Sequence, residues 1–333
     1  MKALLLVDDH DQRLKLAEVD KPEPKPGQAL IKITAAAINR RDQWCREGKY
    51  PNLVYNCIMG SDGSGVVEGV GSKEDDSWLG REVIINPNIN WGYSTAAQSP
   101  DYRLLGMPDN GTFAEYIVVD VDRLHPKPAN LNLDEAAALP LAGVTAYRAV
   151  FTQGNIKPGD NVLISGVGGG VAQFAFLFSV AVGANTYVTS SSDQKLACAV
   201  ELGGKAGFNY KEDDWHKTAL KETNGFDVVI DSAGGDQIND FISMLNPAGS
   251  IVFYGATNGL PKSLDLYRLF WNQGRLQGST MGSDEEFKAM IAFVEKHKIK
   301  PIIDSVRPFE EAIAAFDDLR DGKQFGKIII KIS

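Results

Sequence analysis

Cysteine is scarce: Cys45, Cys57 and Cys198 are the only three in 333 residues, an odd number at wide spacings. That excludes a disulfide framework and a CxxC metal knuckle, and it points to a reducing, cytoplasmic setting. The four histidines, His10, His125, His216 and His297, are isolated from one another. Basic clusters are missing as well. The chain carries 34 Lys and Arg against 43 Asp and Glu, a formal charge of -9, which argues against a nucleic-acid partner or an acidic membrane surface. No apolar run is long enough to span a bilayer, since the most apolar later segment, residues 171–182, is short and contains Gln173 and Ser179. The opening MKALLLVDDH lacks a cleavage-like site and reads as a first strand. Internal repeats and low-complexity tracts are absent. What is left is an acidic chain long enough for two domains, with small-molecule chemistry as its default occupation.

Glycine is concentrated where it matters. Residues 161–182 run from Val162-Leu163-Ile164 through Gly166, Gly168, Gly169 and Gly170 into a long apolar segment ended by Gly183. This order predicts a buried strand, a tight turn and a buried helix. Such a turn lets backbone approach a diphosphate and aims the helix's unpaired N–H groups at it. Before it, residues 1 to about 125 hold short β-branched or alternating runs at 3–7, 29–34, 65–70, 82–85 and 113–119, with a stiff KPEPKPG connector at 21–27. They predict a mostly β-sheet domain. The irregular stretch 86–111 predicts a long loop or lobe. From residue 131 the pattern changes: a helical patch at 134–142 is followed by strands at 162–164, 186–189, 206–209, 228–231 and 250–254. Helical patterns at 171–182, 193–202, 213–223 and 237–245 alternate with them, which predicts βαβ units and a parallel sheet covered on both faces. Helices at 284–298 and 309–321 and a strand at 327–332 break the alternation and are expected to return to the first domain.

An NAD site expects Asp or Glu about twenty residues beyond the glycines, to hold the ribose 2′-OH. Residues 187–192 read YVTSSS, with no acid before Asp193 and with Lys195 just beyond. Nothing there repels a 2′-phosphate, and Ser190, Ser191 and Lys195 can bond one, so the stretch points to NADP(H). The same serines also suit a capped helix start, and both roles can hold together.

Further stretches carry a family resemblance: AAAINRRDQWCREGKYP at 35–51, GSDGSGVVEGVG at 60–71, GTFAEYIVV at 111–119, LPLAGVTAYRAV at 139–150 and FDVVIDSAGG at 226–235. In this order, together with the glycine turn, they resemble the medium-chain dehydrogenase/reductase superfamily, and within it the zinc-free quinone oxidoreductase-like members, over essentially the whole chain. The resemblance implies an α/β fold: a Rossmann doubly wound parallel sheet at 126–266 and a GroES-like β-rich catalytic domain from 1–125 and 267–333, with the active site in the cleft between them. The family's GxGGVG turn is here Gly166-Val167-Gly168-Gly169-Gly170-Val171, with Val171 at the last glycine position and Ala172 just after. Zinc-dependent relatives carry a cysteine and a GHE motif where this chain has Asn39 and Gly60-Ser61-Asp62. Neither Asn nor Ser is an ordinary zinc ligand, and Cys45 and Cys57 read as small buried hydrophobes, so no metal is expected.

By resemblance Asn39 faces the nicotinamide or substrate oxygen, where its amide could donate to a developing enolate. The residues alone also allow an Asn that stabilises its own turn with Asp42. Tyr50 lies where enoyl-reductase-like relatives carry a substrate-side tyrosine that could deliver a proton or orient a carbonyl. Thr145 matches a threonine near the nicotinamide, and Tyr210 one of the tyrosines near the 2′-phosphate. Ser232 and Ala233 after the fourth Rossmann strand, and Tyr254, Gly255 and Ala256 after the fifth, lie at carboxyl strand ends, where open α/β sheets bind ligands. Phe325, Gly326 and Lys327 match a C-terminal motif near the cofactor, although Lys327 also reads as a solvated strand start. Asp227 and Asp231 read as strand-edge acids.

The function implied is zinc-independent, NADPH-dependent reduction of quinones or α,β-unsaturated carbonyls by hydride transfer, because without a Lewis acid an alkoxide loses its usual stabiliser. The alternatives are an alcohol or aldehyde dehydrogenase-like oxidoreductase, and a non-catalytic NADPH-binding or sensing protein. The family expectation is a homodimer joined through sheet edges, with residues 250–254 as the edge. The substrate pocket depends on how Trp44, Tyr55, Trp91, Tyr93 and Trp271 fold together.

Overall fold

The computed structural model describes residues 1–10 and 12–333. They form two compact units, one of residues 1–142 with 283–333 and one of residues 143–282.

The first unit is organised on the strand Gln28–Ala37. Its antiparallel partners are Asp62–Val70, Tyr116–Asp120 and the C-terminal Lys327–Lys331. The sheet runs in the order Leu124–Pro126, Glu82–Ile85, Asp62–Val70, Gln28–Ala37, Lys327–Lys331, Ile303–Pro308, with Tyr116–Asp120 pairing off this path. A smaller sheet joins Leu14–Glu18, Lys2–Leu6 and Cys57–Ile58. Leu4, Ile31, Phe113, Phe316 and Ile330 are fully buried in one core, each contributing roughly 1.5–3 kcal/mol by removal from water. Strand register has a local consequence. Ala37 is opposite Asp62 and also opposite Ile329, so the segments bearing Asn39, Asp62 and Lys327 come to one end of the sheet.

His125 is buried in this unit, its ring 4.9 Å from that of Phe287. Burial, with Lys288 and Arg123 adding to it, pushes its pKa down to about 4, against opposing pulls from Asp284 and Asp122. A base held neutral by the fold stabilises it fully above its unfolded pKa, near 6.5, and loses that contribution as pH falls through the folded value. Denaturant titrations should therefore show stability falling by on the order of 3 kcal/mol between pH 6.5 and 4 from this group, and His125→Leu should flatten that part of the profile.

The second unit is a six-stranded parallel sheet. Its strands, Asn161–Ile164, Asn185–Ser190, Ala206–Asn209, Phe226–Asp231, Leu245–Phe253 and Arg275–Gly278, lie in the spatial order third, second, first, fourth, fifth, sixth. That is the Rossmann arrangement, with the switch point beside the first strand. The helices Gly170–Val182, Asp193–Glu201, Trp215–Thr223 and Ile238–Met244 fall between the strands as the sequence pattern predicts. The first is apolar but for Gln173 and Ser179 and packs Phe174, Phe176 and Phe178 fully inside, as expected for a helix buried against a sheet.

Three expectations are corrected. The patch at 134–142 is two helices, Leu133–Ala137 and Pro140–Tyr147, because Pro140 supplies a preset first helical residue and starts a new helix. The units divide at 142/143 and 282/283 rather than at 125/126 and 266/267. Leu124–Pro126 pairs with Glu82–Ile85 and so extends the first unit, whereas Arg275–Gly278 joins the parallel sheet and extends the second. That sixth strand also means that Leu245–Phe253, which contains most of the expected edge at 250–254, is an inner strand; the edges are Ala206–Asn209 and Arg275–Gly278.

Candidate active site

The glycine turn leaves the first parallel strand and enters the helix Gly170–Val182. Of its four glycines only Gly166 has a positive φ, +59°, and a Cβ there would project into open space. Gly166 N–H donates to Thr189 Oγ1 at 3.1 Å and Val167 N–H to Thr189 O at 3.0 Å, which latches the turn to the end of the second strand. The helix N-cap is Gly169, with no side-chain cap. Its first N–H groups keep their capacity for an anion, and the turn fits a dinucleotide diphosphate. Val171 is partly exposed and Ala172 is buried, so close packing falls to Ala172, one residue past the usual glycine.

Around the second strand end the structure brings Ser190 and Tyr210 together: Tyr210 N–H donates to Ser190 O at 3.2 Å, and the Tyr210 side chain is exposed. Ser190 Oγ accepts from Ser192 N–H, and Ser192 Oγ accepts from Lys195 N–H as the helix cap. Ser191 and Lys195 stand partly exposed at the same corner. The helix cap thus falls to Ser192, beside Ser190 and Ser191.

The loops after the fourth and fifth strands are tied together. Tyr254 N–H donates to Asp231 O, Thr257 N–H to Ser232 O and Asn258 N–H to Ala233 O, at 2.7–3.2 Å. A Cβ on Gly255 would meet Ser232 O at 2.9 Å. Asp231 is fully buried and does more than end its strand. It accepts from Ser165 Oγ and from the N–H groups of Ala233 and Gly234, bracing that loop. Burial of its hydroxyl pushes Tyr254 above the usual tyrosine range. Asp227 accepts from Asn161 N–H and Asn246 Nδ2. Thr145, also in this unit, is 5 % exposed and donates through Oγ1 to Met281 Sδ at 3.6 Å.

The first unit carries a buried polar network. Asn39 caps the helix Arg40–Arg46, and its N–H donates to Asp42 Oδ2 at 2.9 Å, so the turn with Asp42 exists. Its side chain does something else: Nδ2 donates to Asp62 Oδ2 at 2.9 Å, and Oδ1 accepts from Lys327 Nζ at 2.6 Å. Lys327 also donates to Asp62 Oδ2 at 2.9 Å, and Asp62 Oδ1 accepts from Leu141 N–H at 2.7 Å. Lys327 is 2 % exposed and Asp62 fully buried. Lys327 is therefore not a solvated strand start. Beside this group Arg41 donates to Ser61 Oγ and to the carbonyls of Leu105 and Met107, which fastens the irregular lobe. Its guanidinium stands 4.9 Å from the centre of the Tyr50 ring, and Tyr50 is partly buried. Burial pushes the Asp42 carboxyl up to about 6, against the pull of Arg41.

Gly326 has φ +95°, and a Cβ there would meet Ile302 O at 2.1 Å; Phe325 N–H bonds Asp304. Local backbone packing accounts for both. The aromatic residues expected around a pocket differ in exposure. Trp91 is buried edge-on to Tyr102, Tyr93 is fully exposed, and Trp271 projects from the second unit at 73 % exposure. The network partners Asp62, Ser61 and Arg41 were not singled out from sequence as functional. Only the placement of Ser61 and Asp62 in the zinc-motif stretch hinted at them.

A catalytic zinc does not fit the donors present. Asn39 Oδ1 faces an ammonium, and Ser61 Oγ is committed to Leu105 O and Arg41. Neither is an ordinary zinc ligand. Cys45 and Cys57 are buried, and burial pushes their thiols up to about 12, as for small core residues. Among the described residues no group of three or more His, Cys, Asp or Glu is gathered.

A Rossmann sheet with an open glycine turn, joined in one chain to a GroES-like β-rich unit, defines an oxidoreductase of the dinucleotide-using type. Residues 25–129 match the family described as alcohol dehydrogenase GroES-like domain and residues 166–296 the family described as zinc-binding dehydrogenase. The chain is 41% identical over 344 residues to the zinc-type alcohol dehydrogenase-like protein YogA of Leptosphaeria maculans, covering 96% of this chain and 94% of that protein. It belongs to the medium-chain dehydrogenase/reductase superfamily. Among solved structures it is similar to an NAD-dependent alcohol dehydrogenase, with a TM-score of 0.92 and 33% identity over 100% of both chains. It is similar also to crotonyl-CoA carboxylase/reductase AntE in complex with NADP, with a TM-score of 0.85 and 26% identity over 100% of this chain and 94% of that one.

Proposed function

We propose that the protein is a zinc-independent, NADPH-dependent reductase of the quinone oxidoreductase-like branch, acting on α,β-unsaturated carbonyls or quinones. The observation that carries the proposal is the buried Asn39–Asp62–Lys327 group, in which the zinc-motif residues Asn39 and Asp62 bond an internal ammonium in place of facing a dication. Reduction of a conjugated acceptor needs less electrophilic help than alcohol oxidation, since the charge delocalises into an enolate or hydroquinone. The similar crotonyl-CoA carboxylase/reductase AntE, in complex with NADP, supports both the acceptor class and the nucleotide.

In this account Gly166, Gly168, Gly169, Gly170 and Val171 cradle the diphosphate. Ser190, Ser191, Lys195 and Tyr210 hold the 2′-phosphate, and the loops at Ser232–Ala233 and Tyr254–Ala256 line the rest of the nucleotide. NADPH, when bound, supplies the hydride. Asn39 orients the acceptor and donates a hydrogen bond to its oxygen, Tyr50 or water protonates the product, and Thr145 keeps the role by the nicotinamide that the family resemblance implies. An alcohol or aldehyde oxidoreductase is the second reading, favoured by the zinc-type and alcohol dehydrogenase names of similar proteins. NADPH and NADH oxidation should be compared over enones, quinones and aldehydes, with metal measured on the same sample. The expected result is NADPH-dependent turnover of the first two classes with zinc far below one per chain. Stoichiometric zinc with aldehyde turnover would move the assignment to the second reading.

We also propose a homodimer through the edge strand Arg275–Gly278. The preceding helix Leu266–Trp271 exposes Tyr267, Phe270 and Trp271 by 73 %, 62 % and 73 %, an apolar patch beside an edge able to pair with its own copy. Light scattering should give a dimer, and Trp271→Glu a monomer of unchanged fold.

A further inference from the structure

We infer that Lys327 is a positioning residue for the proposed reduction, acting through Asn39. The inference rests on the reductase reading above and adds a role that neither strand pattern nor resemblance assigns. An amide presents an acceptor on one side and two donors on the other, and it can flip. Here the flip is fixed from both sides: the Lys327 ammonium, 2.6 Å away, requires oxygen, and Asp62 Oδ2, 2.9 Å away, requires nitrogen. Asp62 is itself immobilised by the Leu141 N–H at 2.7 Å and by the Lys327 salt bridge. One Asn39 N–H is thus spent on Asp62. The other has only a 3.5 Å approach to Ala37 O, too long for a strong bond, and keeps its capacity for an acceptor oxygen. A charge-assisted bond to the amide oxygen also draws electron density from the nitrogen side and makes that remaining N–H a better donor. Lys327 is almost wholly buried, and its two named partners lie within the first unit. These contacts describe an ammonium that sets an amide rather than one that reaches for a phosphate.

The test measures acceptor reduction, NADPH binding by fluorescence, and the primary isotope effect with 4-deuterated NADPH. The proteins are wild type, Lys327→Met, Lys327→Arg, Asn39→Ala and the Asn39→Ala/Lys327→Met double variant. Lys327→Met is expected to lower kcat by roughly 10- to 100-fold, as for a donor displaced by a fraction of an ångström, with the NADPH Kd unchanged within about twofold and a larger isotope effect. Lys327→Arg should restore part of the rate. In the Asn39→Ala background, Lys327→Met should cost nothing more, since the amide it sets is gone. If Lys327→Met leaves too little folded protein, Asp62→Asn/Lys327→Met removes both charges and is read in its place. Weakened NADPH binding with an unchanged kcat, or fully additive losses in the double variant, would overturn the inference alone. Absence of turnover by the wild-type protein on every enone and quinone would overturn the reductase reading, and the inference with it.

Discussion

Lys327→Met is expected to destabilise the first unit by about 3–5 kcal/mol, the loss typical of a buried ion pair deprived of one partner. The reason lies in what stays behind. Asp62 is fully buried, and its Oδ2 would keep only the Asn39 amide in place of an amide and an ammonium. Removing both charges behaves differently, because an apolar or amide pair of similar volume leaves no ion without its counter-charge. Asp62→Asn/Lys327→Met should therefore recover most of the loss, although it removes more native interactions than the single change. Urea denaturation of the wild type and the two variants measures this directly. A loss below about 1 kcal/mol in the single variant would place the pair among exposed bridges of little consequence and contradict its burial.

Ser190→Asp should weaken NADPH binding by roughly 100-fold while improving NADH binding, a discrimination of about 3 kcal/mol between the nucleotides. Ser190 ends the second parallel strand beside Tyr210, and its Oγ already accepts a hydrogen bond from Ser192 N–H. Aspartate can replace that acceptor, so the corner should stay folded while its charge repels a 2′-phosphate and accepts from a ribose 2′-OH. Titration of both nucleotides against wild type and variant is sufficient. Equal affinities for NADPH in the two proteins would mean that the 2′-phosphate lies elsewhere.

The parts of the fold that repeat were legible from the residues. The alternation of apolar strand and helix from Asn161 onward maps onto the parallel sheet because its inner strands, Asn161–Ile164 and Phe226–Asp231 above all, are buried on both faces and show as apolar runs. Arg275–Gly278 was missed for the same reason inverted: RLQG has one apolar residue and lies at an edge, where burial imposes no pattern. Ile303–Pro308 alternates partly buried and exposed residues, yet IDSVRP has too few large apolar side chains to stand out. In the candidate site, the glycine turn and the serine-rich corner are local in sequence and could be read. The Asn39–Asp62–Lys327 group could not, because its members lie 265 and 288 residues from Lys327 and meet only through strand register. Lys327 looked like a solvated end because lysine at the head of KIIIK usually is one. Nothing short of the strand pairing tells that this lysine turns inward.

The most direct test of the central claim is where the hydride goes. Protein dialysed against chelator should be given 4-deuterated NADPH of each face and a simple enone, and the product examined by mass spectrometry and NMR. One deuterium at the β-carbon of a saturated ketone, from one face only and at undiminished rate without zinc, is the predicted result. Deuterium on the carbonyl carbon of an allylic alcohol, or turnover that returns only when zinc is added, would contradict it.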